Sequence, residues 1–115
     1  MALLKKLPSA FYQTSKGARP VRDFLMELPR EDRRIIGEDI ATVEYGWPIG
    51  KPTCAPIGLG VWEVRSSLPS KRIARILFTV HEGEMILLHG FVKKTQRTPQ
   101  DAIETARTRM KEVKK

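Results

Sequence analysis

The sequence predicts an α+β fold: helices packed on one face of a small antiparallel β-sheet, with a further helix at the C-terminus. Two observations carry the prediction. Apolar side chains at helical spacing occupy the first half of the chain, and three alternating apolar runs separated by turn residues occupy the second. Helices and strands are thus segregated along the chain, unlike the strict βαβ alternation that builds a parallel sheet.

Residues 2–15 mix apolar and polar side chains around Pro8 and read as a weak extended strand. Across residues 19–28, Val21, Phe24, Leu25 and Leu28 follow the i, i+3, i+4, i+7 pattern of an amphipathic helix, and Pro20 suits its first turn. Pro29 ends that helix, because an interior proline removes a backbone donor and clashes with the preceding turn. A second helix follows, with Ile36, Ile40, Val43 and Trp47 on its apolar face and Gly46 and Pro48 as stop signals. Across residues 46–60, Gly46, Gly50, Gly58 and Gly60 interleave with Pro48, Pro52 and Pro56, predicting a long loop from the helical layer to the sheet. Val61–Leu68, Arg72–His81 and Glu84–Lys93 then read as an antiparallel meander, with turns at Pro69 and Ser70 and at Glu82 and Gly83. Thr98 reads as the N-cap of the last helix, whose apolar stripe is Ile103, Ala106, Met110 and Val113.

A chain of 115 residues corresponds to one domain over 1–115, large enough for a modest core. Its 21 Lys and Arg against 13 Asp and Glu leave a formal charge of +8, which favours polyanionic partners. The single cysteine, Cys54, excludes an intramolecular disulfide and a Cys-rich zinc cluster, and fits a reducing compartment. Placed in a loop without a histidine partner, it reads as a bystander rather than a nucleophile. The start lacks the apolar core of a secretory signal, and no run approaches the roughly 20 apolar residues of a membrane span; a soluble, cytoplasmic protein is expected. The sequence contains no P-loop, GxGxxG, HExxH, CxxC or GxSxG motif, so those chemistries have no support.

Period-2 alternation sorts the strands by face. Trp62, Val64 and Leu68 share one side and leave Glu63 and Arg65 on the other; Ala74, Ile76, Phe78 and Val80 oppose Ile73, Arg75, Leu77, Thr79 and His81. In the third run Met85, Leu87, His89, Phe91 and Lys93 alternate with Ile86, Leu88, Gly90 and Val92, both sets apolar enough for a central strand. Simple pairing therefore sets Arg65, Arg75 and Lys93 on one face beside Phe91. Cations around an aromatic ring suit single-stranded nucleic acid, with charge for phosphate and a π-face for a base. The same arginines also read as solvated or paired with Glu63, and the basic cluster Lys93, Lys94 and Arg97 as a solubilising strand end. His89 reads either as a satisfied buried histidine or as a catalyst.

The segments Gly60-Val61-Trp62-Glu63-Val64-Arg65, Arg72 to Val80 and, above all, His89-Gly90-Phe91-Val92-Lys93-Lys94-Thr95-Gln96-Arg97-Thr98-Pro99 resemble HigB-type toxins of the RelE/ParE superfamily, including their phage-derived relatives. Ala102 departs from that pattern, which has an acidic residue there. The resemblance implies a RelE/ParE-like fold and a toxin of a type II toxin–antitoxin system. Such toxins enter the ribosomal A site and cleave mRNA without metal or cofactor, by attack of the RNA's own 2′-hydroxyl. The implied partner is a HigA-like helix-turn-helix antitoxin that forms a hetero-oligomer with the toxin. Carried onto this chain, the resemblance makes Arg65 and Arg75 stabilisers of the phosphate charge, Lys93 a binding or protonating group, His89 the alternative base and Phe91 a stacking platform. Lys71, Arg72, Lys94 and Arg97 become contacts to ribosomal RNA. Two other readings stay open: a ParE-like inhibitor of DNA gyrase that cuts no RNA, and a non-toxic, phage-derived nucleic-acid-binding protein.

Overall fold

The computed structural model describes residues 4–93 and 97–115. In chain order the elements are β1 (Ser9–Phe11), α1 (Pro20–Met26), α2 (Arg30–Gly46), β2 (Cys54–Gly58), β3 (Val61–Leu68), β4 (Arg72–His81), β5 (Glu84–Lys93) and α3 (Gln100–Val113). The fold class is the α+β arrangement expected, and β3, β4 and β5 form the expected antiparallel meander. Both of its turns use left-handed backbone. Glu82 and Gly83, at φ 49° and 78°, make the tight turn between β4 and β5, while Ser70 and Lys71, at 65° and 58°, turn the chain after Pro69.

Two strands lengthen the meander into a five-stranded sheet of order β1-β5-β4-β3-β2. Residues 46–60, expected as one loop, contain β2, which pairs antiparallel with β3 through Cys54 and Val64. Its Pro56 and Gly58 are tolerated because the strand lies at the sheet edge. The N-terminal strand contracts to Ser9–Phe11 and runs parallel to β5, the one parallel pair among the described residues. Cys54 is accordingly a buried core residue, and burial, together with the nearby Glu63 charge, pushes its thiol up to about 11.

Helices α1 and α2 cover one face of the sheet. Val21, Ile36, Ile40 and Val43 pack there against Val64, Ala74, Ile76, Phe78, Met85 and Leu87. Trp47 and Trp62 join that core edge to face, with ring centres 5.0 Å apart. The C-terminal helix takes the opposite face, where Ala102 and Ala106 meet Val61, Leu77, Ile86 and Leu88. Small alanines let this helix lie close to the sheet, and β4 and β5 are covered on both sides as their two apolar faces require.

The alternation of β5 is interrupted. Leu77 pairs with His89 and Phe78 with Leu87, so Leu88 is an extra residue in a β-bulge. Before the bulge Met85 and Leu87 face α1 and α2; after it Val92 does, while Phe91 joins the α3 side. His89 and Phe91 therefore share a face with Ile86 and Leu88, a correction to the strict period-2 grouping.

A candidate nucleic-acid interface

The ladder between β3 and β4 places Arg65 directly opposite Arg75, and the ladder between β4 and β5 places Phe91 opposite Arg75 and Lys93 opposite Ile73. The four residues read from the sequence as one group, Arg65, Arg75, Phe91 and Lys93, thus stand on one face of three adjacent strands. Their depths differ. The Arg75 side chain is 2% exposed, the Arg65 side chain 25%, and Lys93 is exposed at the end of its strand. Arg65 also lines a cleft of about 470 Å³ with Ile35, Asp39, Pro52, Thr53, Ser67 and Ile73.

Between the two arginines lies Glu63, a buried carboxylate that alternation alone marks only as a pairing neighbour. Its Oε1 is 3.3 Å from Arg75 Nη1 and 3.6 Å from Arg65 Nε. Thr98 completes the cluster. Its hydroxyl accepts from Arg75 Nη1 at 2.7 Å and donates to Glu63 Oε2 at 2.7 Å. The expected N-cap role of Thr98 is therefore corrected: α3 starts at Gln100, its N-cap is Pro99 without a side-chain cap bond, and the threonine side chain turns to the arginines instead.

His89 stands beside Phe91, ring centres 5.7 Å apart. Burial, then the Arg109 charge, lower its pKa below the ordinary 6.5, with a smaller opposing pull from Asp101. Arg109 donates to the Leu88 carbonyl at 2.8 Å and approaches His89 Nδ1 at 3.4 Å. Because an arginine only donates, that contact makes Nδ1 the acceptor and puts the ring hydrogen on Nε2. Burial and Arg109 thus both favour the neutral ring. The guanidinium of Arg109 also stacks over Tyr12 at 5.6 Å, and the Tyr12 hydroxyl bonds Glu112, so this histidine sits in a network that fastens α3 to the sheet.

The other basic residues are dispersed. Lys71 is exposed on the turn before β4. Arg72 is held by Asp32, Nη1 to Oδ2 at 2.8 Å and Nη2 to Oδ1 at 3.1 Å. Arg97 is exposed just before α3, and Lys94 lies outside the described residues. A separate cleft of about 570 Å³ between Tyr12 and the end of α3 shares no lining residue with the arginine cluster. No helix among the described residues is long and apolar enough to cross a membrane.

What the fold and this face define is a small basic α+β domain with a partly exposed arginine opposite a buried one on its sheet. Residues 23–111 match the family model described as phage derived protein Gp49-like (DUF891), and the chain belongs to that family. This is a toxin-like family of RelE/HigB type, in line with the resemblance of the His89 to Pro99 segment. No curated protein matches the chain.

Proposed function

We propose that the protein is the toxin of a type II toxin–antitoxin pair, acting in the cytoplasm as a ribosome-dependent mRNA endonuclease. The observation that carries the reading is Arg65 opposite Arg75 on the face that also holds Phe91 and Lys93. In the proposed reaction the RNA 2′-oxygen bonds to the adjacent phosphorus and the bond to the 5′-oxygen breaks, leaving a cyclic phosphate and a 5′-hydroxyl. Charge accumulates on the phosphate oxygens at the transition state. Arg65 meets it with a planar, permanently protonated fork, and Arg75 adds positive potential from beneath. Phe91 stacks a base, holding the nucleotide in line for attack. Lys93 donates a proton to the departing 5′-oxygen, and the proton of the 2′-hydroxyl passes to water. An antitoxin of HigA-like type neutralises the protein by binding it in a hetero-oligomer.

The test is cleavage of mRNA in a purified translation system, with 5′ ends mapped for wild type, Arg65→Ala, Arg75→Ala and Lys93→Ala, with and without ribosomes. Cuts at A-site codons that require ribosomes and fall about a hundredfold or more in Arg65→Ala are expected. Intact message at concentrations that arrest growth would reject the nuclease reading and turn attention to DNA gyrase.

A further inference from the structure

We propose that Glu63 is a positioning residue of this site, whose buried carboxylate holds Arg65 and Arg75 side by side so that the more exposed guanidinium of Arg65 is set against the scissile phosphate. The inference rests on the RNA-cleaving function proposed above. Two guanidinium groups directly opposite one another in a β-ladder repel. Here Glu63 Oε1 stands within 3.3 Å of one and 3.6 Å of the other, which cuts the net charge of the trio and makes the close pair stable. Glu63 itself is 4% exposed and Arg75 is 1% exposed, so each is the other's compensation for burial. The second carboxylate oxygen, Oε2, accepts from Thr98 at 2.7 Å and lies 3.3 Å from the same Arg75 nitrogen. These contacts tie the segment that enters α3 to β3 and β4. The carboxylate bears on the chemistry only through the arginines it holds.

A positioning role is read in the rate at saturation, not in binding. Single-turnover cleavage of ribosome-bound mRNA is measured against protein concentration for wild type, Glu63→Gln, Thr98→Val and Arg65→Ala, alongside urea unfolding of each. Glu63→Gln is expected to lower the saturating rate about tenfold or more while the half-saturating concentration stays within about threefold and the unfolding transition remains cooperative. Thr98→Val keeps the carboxylate and removes only the bridging hydroxyl, so it decides by the same criterion if Glu63→Gln does not fold. Wild-type rates in the folded variants, or a loss confined to the half-saturating concentration, would overturn the proposal. If Arg65→Ala is inactive while Glu63→Gln cleaves normally, the positioning role alone fails. If Arg65→Ala also cleaves normally, the function assigned to the arginine face fails with it.

Discussion

Arg72 and Asp32 meet in a two-bond fork that clasps the start of β4 to the first turn of α2, across 40 residues of chain. The Asp32 side chain is 2% exposed, while Arg72 keeps 28% of its surface in solvent. Arg72→Ala is expected to lower the urea midpoint, because it leaves the buried Asp32 carboxylate without its two guanidinium hydrogen bonds. Under conditions where the variant stays folded, mRNA cleavage should survive. Loss of cleavage by the folded variant would instead identify Arg72 as an RNA contact.

The neutral form of His89 is favoured by burial first and by Arg109 second. Its ring resonances should therefore titrate below 6.5 by NMR, and Arg109→Gln should move the midpoint upward. The sign for stability follows. A histidine with a depressed folded pKa contributes fully above the unfolded value, and the contribution declines as pH falls through 6.5 toward the folded pKa. A midpoint above 6.5 would contradict the arrangement.

Glu44 works in the opposite part of the pH scale. Burial alone would raise its carboxyl, but the Ser9 backbone N–H at 2.8 Å, the Ser9 hydroxyl at 2.9 Å and Lys5 at 3.2 Å together hold it below the ordinary 4.5. The stabilisation is present above about pH 4.5 and is lost as pH falls through the lower folded value. Denaturant midpoints of wild type and Glu44→Gln should differ at pH 7 and converge toward pH 3. A gap that stays constant with pH would show that the charge is not what matters.

Gly90 lies where α1 touches the sheet. A Cβ there would come within 2.6 Å of Phe24 Cδ2 and 2.9 Å of Ile76 Cδ1. Gly90→Ala should destabilise the protein by about 1–3 kcal/mol through overpacking, and Phe24→Leu in the same chain should recover part of the loss. Equal urea midpoints for wild type and Gly90→Ala would refute the contact.

Much of this architecture is legible in the residues. The strands β3, β4 and β5 lie where alternation and turn residues place them, because a two-residue turn and a regular pleat leave little freedom in register. That regularity sets Arg65 opposite Arg75, but Phe91 and Lys93 reach the same face only through the bulge, since the unbroken register would pair Arg75 with Gly90. β2 was hidden because Pro56 and Gly58 look like loop residues, and only an edge position lets them pair. The bulge at Leu88 leaves no mark in a strand whose two sides are both apolar, so alternation alone groups His89 with Met85 and Leu87 instead of Leu88. Nor could alternation show the depth of Arg75, since that depends on where Thr98 arrives from the far side of the last connection. A buried Glu63 and an exposed one have the same neighbours in sequence.

The parallel pairing of β1 with β5 bears on synthesis. Ser9 and Met85 are register partners, so β1 has to wait for the next 76 residues before its neighbour in the sheet exists. Until then, its apolar residues and unpaired amides stand open to other edges, a window that slow, long-range closure prolongs. The sheet is thus completed only when β5 has been made, after all four of its other described strands, and its closing contact joins residues 76 positions apart.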